Sequence, residues 1–203
     1  MDFSGKKFTL GYIAHDPVVH TKYLGPSLLK LHGEYDELLT NSLRCPAVNY
    51  NWMLDQCKTD YLILTHQDVS FPADLLERIE ATITRVPDFG ALGLVGVDHD
   101  RQYYQVSPTR VNRVETLDCC FIVIRKDLDL RFDADTFDEY HQYVEDYCGQ
   151  VTRRLGRSIY TILADPATFV HHGATYSQRG SCWGRWSEYH RHLQTKWPGL
   201  KTT

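Results

Sequence analysis

The sequence has no Cys-x-x-Cys pair, and its cysteines, Cys45, Cys57, Cys119, Cys120, Cys148 and Cys182, follow neither a zinc-ligand nor a disulfide-framework spacing. Reduced thiols of a cytoplasmic protein are the simplest account of them. No stretch approaches the ~18 consecutive apolar residues of a membrane-spanning helix. Residues 1–20, MDFSGKKFTLGYIAHDPVVH, lack the apolar h-region of a secretory signal. Basic residues are not in excess: 22 Lys and Arg against 26 Asp and Glu leave a formal net charge of −4. The basic footprint of a nucleic-acid binder is therefore missing. No repeat, low-complexity tract or linker divides the 203 residues, so a single domain spanning 1–203 is expected.

What is present in quantity is aromatic and imidazole chemistry. There are 13 Tyr, 4 Trp and 10 His. Tyr and Trp offer an apolar body with a polar tip, which suits a cleft that grips polar ligands such as sugars, although most such residues serve the core. The apolar runs FTLGYIA (8–14), DYLILT (60–65), ALGLVGV (91–97) and DCCFIVI (118–124) read as buried strands. Shorter strands are expected at 158–163 and 168–171. Helices are expected at 46–58, at 72–86, where Leu75, Leu76, Ile79 and Ile83 form one stripe, at 145–155 and at 183–197, with weaker helical character at 22–31. This alternation predicts an α/β sheet covered on both faces.

In such sheets ligands bind beyond the carboxyl ends of the strands. Polar clusters stand there: His15-Asp16, His66-Gln67-Asp68, Glu145-Asp146 and His171-His172. Each has an ordinary reading as a turn, a helix first turn or a loop pair. Together they form a constellation. Asp68 follows LILTHQ, so a carboxylate stands at the tip of a buried strand, where it is a good hard ligand for Mg2+ or Mn2+. His171 or His172 adds an imidazole, which Mn2+ accepts more readily than Mg2+.

The order of these motifs resembles a GT-A glycosyltransferase of the family 2 type. Asn49-Tyr50-Asn51-Trp52 through Leu64 resembles the Asn-containing helix that leads into the central strand. His66-Gln67-Asp68-Val69 stands where the family carries its Asp-x-Asp metal motif, in a form found in one branch. Leu117-Asp118-Cys119-Cys120-Phe121 resembles the acceptor-side strand. Phe132-Asp133 to Asp138 and Tyr143-Val144-Glu145-Asp146-Tyr147 resemble the acidic loop and the Glu-Asp motif. His171-His172 with Ser177 and Ser181 resembles the closing segment. The order holds from about residue 8 to about residue 183, most of the chain.

The resemblance implies a mixed, mostly parallel Rossmann-like sheet flanked by helices. It implies transfer of a sugar from a UDP-, GDP- or dTDP-sugar to a hydroxyl of a glycan or other acceptor, with inversion, in the cytoplasm and without an integral membrane segment. Asp68 matches the metal-chelating carboxylate, with Mn2+ or Mg2+ as the ion, and His171 or His172 the further metal ligand. Asp146 matches the general base, with Glu145 as second choice. His15, Asp16, Asn41, His66, Gln67 and Arg179 are the expected donor-binding residues, and Asp118 and Trp183 the acceptor or sugar contacts. His66 stands where the family has an acidic residue, so a ribose hydroxyl would meet an imidazole without negative charge. The segment from about 173 to 203, with Gly173, Gly180 and Gly184 as hinges, is expected to be flexible and to bring Arg179, Arg185 and His190 towards the phosphates.

Other readings stay open at this point. A sugar nucleotidyltransferase needs a glycine-rich basic loop after its first strand, but residues 14–27 read AHDPVVHTKYLGPS. A nucleotide-sugar-binding module without transferase activity is suggested by His66. A zinc site drawn from His66, His141, His171 and His172 finds no His-x3-His pair to support it.

Overall fold

The computed structural model describes residues 6–41, 45–173 and 185–203. In chain order the elements begin with β1 (Phe8–Ile13), α1 (Pro17–Lys22), α2 (Leu24–Leu28), β2 (Tyr35–Thr40), α3 (Pro46–Gln56), β3 (Tyr61–His66), β4 (Val69–Ser70) and α4 (Leu75–Arg85). They continue with β5 (Phe89–Gly93), β6 (Val95–Val97), β7 (Tyr103–Gln105), β8 (Arg113–Val114), β9 (Thr116–Leu117), β10 (Phe121–Arg125), α5 (Tyr143–Gly149), β11 (Ser158–Thr161), β12 (Val170–His171) and α6 (Trp186–Lys196). The main sheet has seven strands in the order β2-β1-β3-β10-β5-β11-β8. Strands β2, β1, β3, β5 and β11 share one direction, while β10 and β8 run against them. A mixed, mostly parallel sheet is therefore what the sequence folds into.

The long apolar runs have a direct cause. Along β3, Leu62 and Leu64 face one hydrophobic layer and Ile63 the other. Along β10, Ile122 and Ile124 face the first layer, Phe121 and Val123 the second. Successive side chains point to opposite faces, so a strand buried on both must be apolar throughout. Tyr50 and Met53 of α3, Tyr147 of α5 and Leu193 of α6 cover the first face. Leu75, Leu76 and Ile79 of α4, with Leu24 of α2, cover the second. At roughly 1.5–3 kcal/mol for each large apolar side chain removed from water, these layers supply the main driving force.

Several boundaries differ from the sequence reading. β2 was not expected, because its YDELLT stretch is half exposed at the sheet edge and lacks an apolar run. The 91–97 stretch divides into β5 and β6, with β6 leaving for a small sheet with β7 and β9. The helix expected at 145–155 is α5 followed by a π-helical turn, Gln150–Arg154. The helix expected at 183–197 is α6, Trp186–Lys196, which buries Tyr189 and Leu193 in the core. Among the described residues Cys45, Cys57, Cys119, Cys120 and Cys148 are free thiols. No helix among them is long and apolar enough to cross a membrane.

Candidate functional site

β1 and β3 run side by side and end at the same edge, with Ile13 opposite His66. β10 runs the other way, so its start, with Asp118 to Cys120 just before it, lies at that edge too. A cavity of about 600 Å3 opens there. His15, His66, Gln67, Asp68, Asp118, Glu145 and His171 all line it. A single edge of the sheet thus collects residues from four of the clusters read in the sequence.

The position of His171 follows from strand register. β4 and β12 form an antiparallel two-stranded ribbon in which His171 faces Val69, and the His172 N–H donates to the Asp68 carbonyl at 2.9 Å. His171 Nε2 consequently lies 3.4 Å from Asp68 Oδ1. His172, one residue on, turns to the opposite side. It stacks on Tyr23 with ring centroids 4.1 Å apart, and its Nε2 lies 3.0 Å from Ser70 Oγ. Of the two histidines, His171 belongs to the site and His172 to the scaffold.

His66, Asp68 and His171 present one ligand atom each, all within 4.8 Å of one another. Gly173 marks the space between them. A Cβ there would lie 2.4 Å from His171 Nε2 and 3.0 Å from Asp68 Oδ2, so only glycine lets the backbone pass this close to the pair. Burial opposes charge on Asp68, but the hydrogen bond from His171 and the nearby His66 outweigh it and hold the carboxyl below its ordinary range. Burial, aided by the charge of His171, pushes His66 down to about 4, so its imidazole is neutral near pH 7. His66 and Asp68 are thus in the protonation states a metal ligand needs. Burial of His171 is outweighed by its hydrogen bond to Asp68, which raises its pKa, so an ion bound there would displace a proton from it. The fully buried Tyr143, on α5, holds His66 Nε2 with its hydroxyl at 3.2 Å.

Consecutive residues on a helix point about 100° apart, and this separates Glu145 from Asp146. Glu145 faces the cavity, is 6% exposed, and has one carboxylate oxygen, Oε2, buried without a hydrogen-bond partner among the described residues. Its other oxygen accepts from the Thr203 hydroxyl at 3.3 Å. Burial, reinforced by the charge of Asp118, pushes the Glu145 carboxyl up to about 8. Asp146 faces α6 and does not line the cavity. Its carboxylate accepts from Trp197 Nε1 at 2.8 Å, Lys196 Nζ at 2.9 Å and Gln150 Nε2 at 3.1 Å. Gly149 permits this, because a Cβ there would lie 2.7 Å from the Trp197 ring. Of the two carboxylates expected as base, Asp146 first and Glu145 second, it is Glu145 that lines the cavity, while Asp146 ties α5 to α6.

The remaining expected residues divide as follows. His15 and Gln67 meet, with Gln67 Nε2 3.1 Å from the His15 Nε2. Asp16 does not line the cavity, because its carboxylate caps α1 by accepting from the Val18 and Val19 N–H groups. Its own N–H donates to Gln67 Oε1 at 3.0 Å, so it positions Gln67. Asn41 lies exposed beyond the end of β2 and does not reach the cavity. Arg179 and Trp183 lie outside the described residues. Arg185 is engaged with Asp138 at 2.8 Å and Glu188 at 3.0 Å. Sequence reasoning missed Gln142, Tyr140 and Thr203 in the cavity wall. Gln142 has a left-handed φ of 63°, a strained value for Gln, and its Oε1 is buried without a partner among the described residues, neither of which the sequence displays.

No family sequence model matches the chain, and no curated protein matches it. Solved structures do resemble it in fold. One is the Staphylococcus aureus TarS 1–349 structure in complex with UDP-GlcNAc, at a TM-score of 0.59 and 14% identity over 94% of this chain and 66% of that one. Another TarS 1–349 structure gives 0.55 and 14% over 80% of this chain and 59% of that one. The mannosyltransferase PcManGT from Pyrobaculum calidifontis, in complex with GDP-Man and Mn2+, gives 0.53 and 10% over 95% and 70%. The chain spans about three-fifths to two-thirds of the TarS chains it matches. At these identities the likeness establishes the fold, which is that of GT-A glycosyltransferases.

Proposed function

We propose that this chain is a metal-dependent glycosyltransferase that moves a sugar from a nucleoside diphosphate sugar to an acceptor hydroxyl, with inversion. The observation that carries the reading is the shared cavity, lined by Asp68, His171 and the buried Glu145. Two of the structures similar in fold have UDP-GlcNAc or GDP-Man with Mn2+ bound. Ion-ligand chemistry and a proton acceptor in one cavity are what sugar transfer from a diphosphate requires.

Asp68 and His171, with His66 beside them, would hold the divalent ion. Two imidazoles with one carboxylate favour Mn2+ over Mg2+. When bound, the ion neutralises the charge that develops on the leaving diphosphate. The described lining residues include no Lys or Arg, which makes that counter-charge the more necessary. Glu145 takes the proton of the acceptor hydroxyl, from the side opposite the diphosphate, and so inverts the anomeric centre. Tyr143 fixes the His66 ring by its hydroxyl contact with Nε2, which would leave the other ring nitrogen for the ion. Gln67, held by the Asp16 N–H and by His15, forms the floor towards the nucleoside. The free cysteines suit a cytoplasmic setting, where nucleotide sugars are available.

The deciding experiment is a screen of UDP-, GDP- and dTDP-sugars for donor hydrolysis and binding, with Mn2+ and with a chelator. Mn2+-dependent release of nucleoside diphosphate supports the enzyme. Binding of a donor without turnover, with or without acceptor, would leave a binding module.

A further inference from the structure

A second set of metal-capable side chains lies on the other side of His171. Asp118, Cys120 and His171 each present a ligand atom, and the three atoms lie within 4.8 Å of one another. Asp118 and Cys120 belong to the short connection between β9 and β10. There the Asp118 carboxylate accepts the Cys120 backbone N–H at 2.9 Å, so one turn aims both side chains. His171 arrives from β12, whose register against β4 is fixed. All three line a separate cavity of about 210 Å3, walled by Leu94, Val106 and Phe169. None of these residues apart from Asp118 and His171 lines the main cavity.

The donor set differs in kind from that around Asp68. Carboxylate with imidazole accepts Mn2+, whereas a sulfur ligand selects zinc and similar thiophilic ions. Two negative ligands and one neutral imidazole also balance a dication beside the apolar side chains of Leu94, Val106 and Phe169. Three protein ligands leave a fourth position open to the cavity, the count found in open zinc sites. Ligand atoms at roughly 2.0–2.3 Å from a tetrahedral ion sit roughly 3.3–3.8 Å apart. Contracting the observed group to that size takes side-chain movements of about 1 Å.

We propose that Asp118, Cys120 and His171 form a second divalent-cation site, selective for zinc-like ions, which shares His171 with the Asp68 site and excludes an ion from it. The exclusion has a chemical basis. A neutral imidazole has one nitrogen lone pair to give, the other nitrogen carrying its proton, so His171 serves one ion at a time. On binding, the Cys120 thiol releases its proton to solvent, Asp118 contributes a carboxylate oxygen, and no redox change occurs. A zinc-like ion would in this way withdraw a ligand from the hard-ion site.

The test uses the whole chain and Co2+ as the probe, because a Co2+–thiolate bond gives a near-ultraviolet charge-transfer band. One equivalent of Co2+ should raise that band, and Zn2+ should abolish it by displacement. The band should disappear in Cys120→Ser and in Cys120→Ala, with folding checked by circular dichroism. Asp118→Asn should weaken Co2+ binding by more than about tenfold. Asp68→Ala should keep the band. Mn2+ should remain free, by its paramagnetic resonance spectrum, in zinc-loaded protein. Absence of the band in the wild-type chain, its persistence in both Cys120 variants, or simultaneous binding of Mn2+ and Zn2+ would overturn the proposal. The spectroscopic arms need neither donor nor acceptor, so a failure of sugar transfer leaves them standing. Only the Mn2+ arm rests on the hard-ion site proposed above.

Discussion

His171 Nε2 stands 3.4 Å from Asp68 Oδ1 because a two-stranded ribbon places His171 opposite Val69. His172, the residue just after β12, lies on the other side and stacks on Tyr23. The two histidines should therefore respond differently to removal. His171→Ala should weaken Mn2+ binding, read by calorimetry, by more than about tenfold. His172→Ala should leave Mn2+ affinity unchanged and lower stability by about 1 kcal/mol through the lost ring stacking. Equal loss of Mn2+ affinity in both variants would contradict this division.

Gly173 tests the ion site through the His171 ring, because a Cβ at 173 would lie 2.4 Å from His171 Nε2 and must push it aside. In Gly173→Ala the new methyl group occupies the space between His171 Nε2 and Asp68 Oδ2. Mn2+ binding should fall by about tenfold or more while the melting temperature stays close to wild type. Unaltered Mn2+ binding would mean that the ion sits elsewhere.

Glu145 and Asp146 make the sharpest pair. Glu145→Gln should reduce sugar transfer by roughly 10^2–10^4 while donor binding survives, as for loss of a general base. Asp146→Asn should act on stability instead, because it weakens the tie of α5 to Lys196 and Trp197. A loss of about 1–3 kcal/mol is expected, from charged hydrogen bonds at a buried group. Transfer per folded molecule should be largely retained. If Asp146→Asn abolished transfer at full stability, the base assignment would revert to Asp146.

The pH dependence follows from Glu145, whose carboxyl is pushed from an ordinary 4.5 up to about 8. A base must be deprotonated, so kcat/KM for the acceptor should rise with pH through about 8. Stability should move the other way. Because the folded state holds this proton more tightly than the unfolded chain, the contribution is full below about 4.5 and is lost as pH rises through about 8. Comparing melting temperatures of wild type and Glu145→Gln across that window isolates the term. Parallel pH curves for the two proteins would show that Glu145 is not the titrating group.

How much of this was legible in the sequence depends on whether the deciding force acts locally. Strands β1, β3 and β10 were readable because burial on both faces demands an unbroken apolar run, and α4 because one buried face leaves a stripe. The half-exposed β2 carries neither sign. Asp68 was readable as a carboxylate at a strand tip. Asp16 was readable as polar but not as a cap, since that role rests on its bonds to the Val18 and Val19 N–H groups.

The sequence by itself determined the α/β architecture, the edge of the sheet where chemistry collects, and the set of residues from which a site is drawn. Only the tertiary structure decided between neighbours in that set. His171 rather than His172, and Glu145 rather than Asp146, reach the cavity. A strand turns each successive side chain to the opposite face and a helix turns it by about 100°, so adjacent residues of the same chemistry diverge. Which of them faces the site is set by partners far along the chain: β4 for His171, and α6 with Trp197 for Asp146.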